Sequence, residues 1–483
     1  MKKKMVRLLA LTMLLTAAVM PMTSCSDASR LNRMDEDERA VAFFEMVEAK
    51  GEETTSLSVE QKLYLKLDIG DVAYEQLNEG TATYVEEEGE LSYLEQTTTT
   101  VWVGGDKTVT YTDEGYIDGM MFTYNKEGKV ESKLKSPITG DEYEAFRENQ
   151  VEDVPEVRVG EGFCTTMTCK QAEDGTWTAT YEGFTEEGMK YFLYIVKSVE
   201  TALNAEHTLK DVRLTYMADK NLNPVSRKME YIFEENKDAE TRVPVITADM
   251  EFKGINNTVF SEKYDISDFT EVEDLRMVEN FTSALSDRQN DGSGAFKVTT
   301  EGDASYAGEK NHSLTEQSVT FKNYNGYEFT LDYTQEGYDV AISYKNGSMN
   351  TVVREEKTGQ KVDSSSDELS DFEAQAMVQQ LMNSENITAL DIIDAKLVNE
   401  ESGLYRFTLG DSVKNGLNEQ YQAAYGAKID TFRGHIEATV VEGKLMCYTY
   451  HVYTTLKIEG QIMQINVDYS VEFSELTEDG EAV

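Results

Sequence analysis

Residues 462–473 read Ile-Met-Gln-Ile-Asn-Val-Asp-Tyr-Ser-Val-Glu-Phe, and from Met463 onward they alternate strictly between apolar and polar side chains. Because successive side chains of a β-strand point to opposite faces, this period of two predicts a strand with one buried and one solvated face. Residues 446–458 alternate in the same way from Met446 onward, and the Glu459-Gly460 pair between the two runs is typical of a two-residue hairpin turn. These residues therefore predict an antiparallel hairpin with one apolar face.

The first half of the chain contains the same strand pattern and few helices. Residues 63–69 alternate leucine or isoleucine with tyrosine, lysine and aspartate. Helical spacing of apolar residues is found in residues 35–50, with Gly51 as the stop, and in a segment that Thr185 caps. An antiparallel sheet with one apolar face must cover that face. We therefore predict an α+β fold in which a few helices cover the concave apolar face of curved antiparallel sheets.

The sequence also contains an internal repeat. Tyr-Thr-Asp-Glu-Gly-Tyr at residues 111–116 matches Tyr-Thr-Gln-Glu-Gly-Tyr at residues 333–338. Around both matches, helix-like segments, strand pairs and a closing hairpin follow in the same order, with acidic helix starts near Asp141 and Asp367. We therefore predict a tandem duplication with two sheets and a boundary near residues 268–275. The predicted organisation is a signal peptide at 1–24, a short tether at 25–33, a first copy at 34–272 and a second copy at 273–476.

The composition excludes one class of partner. The chain has 45 basic and 90 acidic residues, so its formal net charge is −45. A protein of this charge repels polyanions, and we do not expect it to bind nucleic acid by neutralising phosphates. The 40% of hydrophobic residues is enough to build folded cores, which distinguishes the chain from a disordered acidic tail.

The first 25 residues have the features of an export signal. Residues 1–24 carry four basic residues and no acidic residue, and the apolar run of residues 8–22 is too short to span a membrane comfortably. Residues 22–25, Met-Thr-Ser-Cys, resemble the lipobox of bacterial lipoproteins. The resemblance implies cleavage before Cys25, attachment of diacylglycerol to its thiol, and a lipid-anchored position on the extracytoplasmic face of the cell membrane. An ordinary secretory signal and an uncleaved anchor helix are the alternatives.

Cysteine and histidine spacing gives no sign of a metal or catalytic site. With Cys25 lipidated, three cysteines remain, of which Cys164 and Cys169 either close a small disulfide loop or stay as free thiols. The four histidines are far apart in the sequence and show no paired-ligand spacing; they are His207, His312, His435 and His451. We therefore expect no metal ion, no cofactor and no catalytic residue.

The order of a lipobox, an opening helix, a long antiparallel meander and covering helices resembles the lipoprotein-carrier class of LolA and LppX half-barrels, here in tandem. The resemblance rests on element order and strand alternation in both copies, so no functional residue carries over. It implies an apolar cavity between sheet and helices that holds an acyl chain or another lipophilic ligand. The periplasmic carriers are soluble single units, whereas this chain has two copies and its own predicted anchor.

Three functional hypotheses follow. The first is a non-enzymatic, lipid-anchored binding protein that holds a lipophilic ligand. Its candidate ligand contacts are alternating apolar residues that a closed core would also require: Leu63, Leu65, Leu67, Met463, Ile465 and Val467. The second hypothesis is an interaction or sensor module with closed cores that acts on an envelope protein. The third is an envelope hydrolase, which would need two carboxylates brought together in a cleft by the fold.

Overall fold

The computed structural model describes most of residues 30–474, in two compact units. The described ranges are 30–52, 54–69, 72–87, 90–149, 157–193, 208–234, 242–258, 264–290, 292–323, 326–383, 387–399 and 401–474. The predicted signal peptide, Cys25, His207 and residues 475–483 lie outside them. The first unit ends at Asp268 and the second begins at Phe269, and Lys129–Ser136 groups with the second unit.

The first unit begins with a helix and a meander of long strands. Its elements are α1 (Glu36–Glu52), β1 (Ser56–Ile69), β2 (Val72–Glu87), β3 (Glu90–Val103), β4 (Asp106–Ile117), β5 (Met120–Glu127), α2 (Gly140–Asn149), β7 (Cys164–Gln171), β8 (Trp177–Phe184), a helical segment at 186–193, β9 (Leu209–Ala218), β10 (Pro224–Phe233) and β11 (Val245–Lys253). The strands form an antiparallel sheet in the order β5-β4-β3-β2-β1-β11-β10-β9-β8-β7. The first and last strands of the meander, β1 and β11, therefore meet in the middle of the sheet.

The helices of the first unit pack on one face of its sheet, which we call its helix face. Tyr181 donates a hydrogen bond to the Ala40 carbonyl of α1 at 2.7 Å, and the Tyr231 ring packs at 6.3 Å against Phe192 of the helical segment. In α2, Tyr143 stacks on a tyrosine of β4. The cross-strand register and the alternation of side chains place all these contacts on the same face. We call the other face the open face.

The second unit has the same kind of architecture. Its elements are β6 (Val130–Pro137), β12 (Thr270–Glu271), α3 (Arg276–Asn290), β13 (Ser293–Tyr306), β14 (Glu309–Asn323), β15 (Tyr327–Gln335), β16 (Tyr338–Lys345), β17 (Ser348–Glu355), β18 (Lys361–Glu368), α4 (Asp371–Met382), a 3₁₀ turn (Ala389–Asp391), β19 (Ile392–Asn399), β20 (Leu404–Leu409), α5 (Asp411–Tyr425), β21 (Ile429–Val441), β22 (Lys444–Ile458) and β23 (Gln461–Ser474). The strands from β13 onward form one antiparallel sheet, ordered β18-β17-β16-β15-β14-β13-β23-β22-β21-β20-β19. The short strand β12 pairs with β6 in parallel.

The helices of the second unit also pack on one face of their sheet. Phe281 of α3 stacks on Phe407 of β20 with ring centroids 4.8 Å apart. Tyr448 of β22 donates a hydrogen bond to the carbonyl of Met382 at the end of α4. The apolar residues of α5 pack against a cluster that contains the buried Leu456. We again call this the helix face and the other the open face, so the predicted α+β fold with two tandem, mainly antiparallel sheets is confirmed.

The two units repeat one order of elements. In each, a helix and six strands are followed by a helix, two strands, a helix and three strands. This count places β6 directly after β5, where it stands in the chain. The matching hexapeptides do not mark equivalent positions, because residues 111–116 lie within β4 whereas residues 333–338 span the turn from β15 to β16. The helix predicted near Asp367 begins at Asp371, because Asp367 still belongs to β18. The order of elements therefore reveals the repeat, whereas the matching hexapeptides align positions of the two units that are not equivalent.

The predicted alternation holds in the deciding hairpin, with one exception. Tyr469, Val471 and Phe473 are buried, and the turn residues Glu459 and Gly460 both have positive φ, as a two-residue turn requires. Met446 is exposed, because the register of β21 and β22 shifts between Thr439 and Val440. This irregularity reverses the alternation at the start of β22, where Leu445 is buried in place of its neighbour.

Helix α1 continues past the predicted stop at Gly51 and ends at Glu52. At the edge of the second sheet, every residue of β18 is exposed. None of the described helices has the length and apolar character needed to cross a membrane.

Candidate functional site

A groove with a volume of about 1090 Å³ lies on the open face of the first sheet. Two rows of side chains line it, and each row crosses eight strands from β9 to β5. One row consists of Thr215, Lys228, Asp249, Lys62, Glu79, Thr98, Tyr111 and Lys126. The other consists of Met217, Ser226, Glu251, Glu60, Thr81, Gln96, Asp113 and Tyr124.

The floor of the groove is formed where the intervening residues pass between the two rows. These residues are Gln61, Gly80, Thr97, Arg227 and Met250, and by alternation the side chains of all but the glycine point to the helix face. At Gly80 a Cβ atom would lie 2.6 Å from the Gln96 carbonyl oxygen of β3, so only glycine allows this approach of the strands. The floor is therefore mainly backbone, and the chemistry of the groove comes from its two rows.

The lining of the groove is polar and carries charges of both signs. Its two rows contain five carboxylates and three lysines among hydroxyl and amide groups. Lys62 and Glu79, neighbours in one row, form a salt bridge of 2.9 Å. Tyr111 of β4, which is next to Lys126 in the same row, is 44% exposed. A surface of this kind offers hydrogen-bond donors and acceptors along its whole length.

A buried ion pair supports the groove from the helix face. Glu48 of α1 accepts hydrogen bonds from the Tyr216 hydroxyl at 2.5 Å and from Arg227 Nη2 at 2.9 Å. The Arg227 guanidinium also lies 4.6 Å from the centre of the Tyr216 ring. Burial raises the pKa of Tyr216, and the Glu48 carboxylate raises it further. The network ties α1 to β9 and β10 directly beneath the groove.

The six predicted ligand contacts lie on the helix faces and not in the groove. Leu65 and Leu67 are buried, and Leu63 is partly buried. Met463 and Ile465 are partly buried and pack on a cluster formed by Ala427, Ile429 and Leu456. Val467 is also partly buried. The structure thus places the predicted contacts in or beside apolar cores, and their contact with a ligand stays a prediction.

The cysteines in the described residues are not paired. Cys164, Cys169 and Cys447 are all free, so of the two alternatives for the first two the structure has free thiols. Burial raises the pKa of Cys169 to about 12 and also raises that of Cys164. These two thiols are therefore protonated and unreactive at neutral pH.

Sequence reasoning missed the groove because its residues are the polar half of each alternating strand. Such residues are expected on any solvated face and carry no signal of their own. The signal lies in the register, which brings Lys62 of β1 opposite Asp249 of β11. That pairing joins strands far apart in the chain, and the local pattern does not specify it.

Comparisons with known proteins leave the family of the chain open. No family model matches the sequence, and no curated protein matches it. A solved structure of a transferrin binding protein B double mutant from Haemophilus parasuis Hp5 is similar at a TM-score of 0.15 and 6% identity, over 86% of this chain and 76% of that chain. A protein of the DUF3598 family from Nostoc punctiforme is similar at a TM-score of 0.12 and 6% identity, over 85% and 94%. Likeness this low carries no argument about fold or function.

Proposed function

We propose that the protein is a non-enzymatic, lipid-anchored binding protein on the extracytoplasmic face of the membrane, and that its first unit binds a polyhydroxylated ligand of the oligosaccharide class. The observation that carries the proposal is the polar groove across eight strands. Seven strand spacings of about 4.8 Å give it a length of up to about 34 Å, which suits an extended ligand. The mixture of acids, lysines, hydroxyls and amides in its lining favours a neutral ligand that both donates and accepts hydrogen bonds.

The same observations argue against a lipophilic ligand in this groove. An acyl chain laid along it would remove five carboxylates and three lysine ammonium groups from water without offering them hydrogen bonds. The lipophilic ligand that the carrier resemblance implies would instead need space between a sheet and its helices. Contacts such as Phe281 on Phe407 and Phe43 against Tyr216 fill part of that region with side chains.

Calorimetric titration with linear hexasaccharides tests the proposal. The full chain, extracted from membranes in detergent, is titrated with neutral hexasaccharides of glucose and of N-acetylglucosamine. The matched variants are Tyr111→Ala in the groove and Tyr338→Ala on β16 of the second unit, since these two tyrosines are 44% and 42% exposed. We expect Tyr111→Ala to weaken binding about fivefold, as the loss of roughly 1 kcal/mol of aromatic contact predicts. Tyr338→Ala should bind like the unchanged protein.

Two outcomes would overturn the oligosaccharide proposal. One is the absence of saccharide binding together with lipid that co-purifies and is found by mass spectrometry of an organic extract, which would favour the carrier hypothesis. The other is equal weakening by both tyrosine variants, which would mean that the groove does not hold the ligand. The absence of both saccharide and lipid would favour the hypothesis of a protein-interaction module.

The anchor is tested separately, because the residues that carry it lie outside the described part of the chain. Cells that express the protein are labelled with a radioactive fatty acid and then fractionated. Cys25→Ser should abolish the label and release the protein from the membrane fraction, because acyl chains on this thiol supply the anchor. The matched control, Cys447→Ser, changes a free thiol of β22 and should leave both label and membrane association unchanged. Retention of the label in Cys25→Ser would contradict the lipidation proposal.

A further inference from the structure

Three of the four histidines lie on the open face of the second sheet. His312 is in β14, His435 in β21 and His451 in β22. Tyr448 and Tyr469, which donate hydrogen bonds to backbone carbonyls of α4, mark the helix face. By alternation along β22 and β23, the histidine side chains point to the other side. Residues that are far apart in the sequence therefore share one surface.

The strand register aligns two of these histidines with carboxylates in one cross-strand row. His435 pairs with His451, His451 with Asp468, and Asp468 with Glu301. The two imidazole rings are stacked with centroids 4.5 Å apart, and His451 Nδ1 lies 2.8 Å from Asp468 Oδ1. The row thus reaches Glu301 in β13, and β13 is paired with β14, the strand that contains His312.

The next row brings the third histidine to the same place. Asp303 pairs directly with His312, and His312 Nδ1 lies 3.0 Å from Asp303 Oδ1. Glu301 is two residues from Asp303 on β13 and therefore points to the same face. One donor atom from each of these three residues lies within 4.8 Å of the other two. The three side chains are exposed, so solvent reaches all of them.

The carboxylate of Glu301 lies among other carboxylates. Its carboxylate faces Asp468 across the β13–β23 pair and stands beside Asp303. In the described part of the chain, the Glu301 carboxylate has no hydrogen-bond or ion-pair partner. Like charges directly opposite each other destabilise a sheet. A cation bound between these acids would reverse that cost.

We propose that Glu301, Asp303 and His312 form a binding site for a divalent transition-metal ion of the zinc class. One imidazole and two carboxylates are a donor set typical of such ions, whereas Mg²⁺ and Ca²⁺ prefer oxygen alone. Tetrahedral zinc with bonds of about 2.0–2.1 Å separates its ligand atoms by about 3.3 Å, close to the distance between Asp303 and His312. The exposed fourth position is filled by water.

The location of the site agrees with the repeated architecture. By element order, β13 and β14, which carry the site, correspond to β1 and β2, and the groove of the first unit crosses these two strands. Both units therefore have clusters of polar side chains on corresponding strands of the open face. The metal site does not rest on the proposed saccharide function, because it is built from residues of the other unit.

Zinc titration of the full chain tests the proposal. The detergent-extracted protein is freed of metal with a chelator and titrated with ZnCl₂ by calorimetry, in about 150 mM NaCl and excess MgCl₂ so that diffuse attraction to the acidic surface is screened. We expect one tight equivalent per chain that Mg²⁺ does not displace. His312→Ala and Asp303→Asn should each weaken it at least about tenfold, since loss of even an outer partner of a metal ligand has that effect.

Two control variants make the result decisive. Glu309→Gln removes an exposed acid of the same hairpin that is not part of the site, and it should leave zinc affinity unchanged. His451→Ala removes a histidine of the neighbouring row and should have a smaller effect than His312→Ala. Equal affinity in His312→Ala and the unchanged protein would overturn the proposal, and so would displacement of zinc by Mg²⁺. Loss of binding in His451→Ala alone would place the metal at the stacked histidines and also overturn it.

Discussion

At the scale of single residues, the stacked histidines His435 and His451 on the second sheet show how neighbouring groups change the pKa of a side chain. Partial burial lowers the pKa of His435 from its usual value, and the adjacent His451 and Arg406 lower it further. Glu437 and Asp468 act in the opposite direction but do not outweigh these causes. His435 is therefore neutral over a wider pH range in the folded protein than in the unfolded chain.

This shift predicts a loss of stability in mild acid. Below about pH 6.5 the unfolded chain takes up the proton at His435 before the folded protein does, so the free energy of unfolding falls as the pH decreases towards the folded pKa. Above about pH 7 both states are neutral and the residue makes no contribution. Urea unfolding at about pH 7.5 and pH 5.5 measures the loss, and His435→Gln should reduce it.

Proton NMR gives the independent check on the same histidine. Its ring resonance should titrate below pH 6.5 in the folded protein, and comparison with His435→Gln assigns the signal. A midpoint at or above the ordinary histidine value would contradict the burial argument. An unchanged acid sensitivity in His435→Gln would show that other groups govern it.

At the scale of elements, α1 is held to its sheet by a charge pair with little access to solvent. The side chains of Arg227 and Glu48 are 2% and 8% exposed. Removal of one partner leaves the other as an uncompensated buried charge. We therefore expect Arg227→Met to lower the free energy of unfolding by about 3–5 kcal/mol, measured by urea denaturation.

An arginine on the neighbouring strand supplies the matched control. Arg213 of β9 forms ion pairs with Glu182 and Glu230, but its side chain is 48% exposed. Because solvent screens such pairs, Arg213→Met should cost less than about 1 kcal/mol. The double variant Arg227→Met with Glu48→Leu should recover most of the loss, since it leaves no buried charge unpaired. A similar loss in both single arginine variants would refute the argument from burial.

Local patterns predicted the elements well, and non-local pairing explains what they missed. The alternation around Val471 predicted a strand because each strand with one buried face has apolar residues at every second position of its own sequence. Thr185 was predicted as a helix cap, and its hydroxyl does accept a hydrogen bond from the Gly188 amide at 3.3 Å. The groove and the histidine surface depend on which strands become neighbours. No local property of His312 and His451 indicates that they share a face.

At the scale of the whole molecule, the excess of acidic residues is the dominant electrostatic property. The formal net charge of −45 is spread over a chain with twice as many acids as bases. Repulsion among these charges favours any state that separates them. Individual surface ion pairs contribute little against this background.

Salt should therefore stabilise the protein. An increase in NaCl from about 10 mM to about 150 mM shortens the Debye length from about 30 Å to about 8 Å and screens the repulsion. We expect the Tm to rise, as measured by circular dichroism, and a second series with a different neutral salt at the same ionic strengths should give the same trend. A fall in Tm with salt would mean that attractive ion pairs outweigh the repulsion.

The exposed edge strand β18 has a consequence for self-assembly. A bare strand edge is a template on which further copies add, and this is how fibrils grow. Here the edge carries Asp363, Asp367 and Glu368, and every residue of the strand is in contact with solvent. A second molecule approaching in register would bring like charges together. The edge therefore acts as a terminus for polymerisation, and only conditions that neutralise its carboxylates would open the route to amyloid.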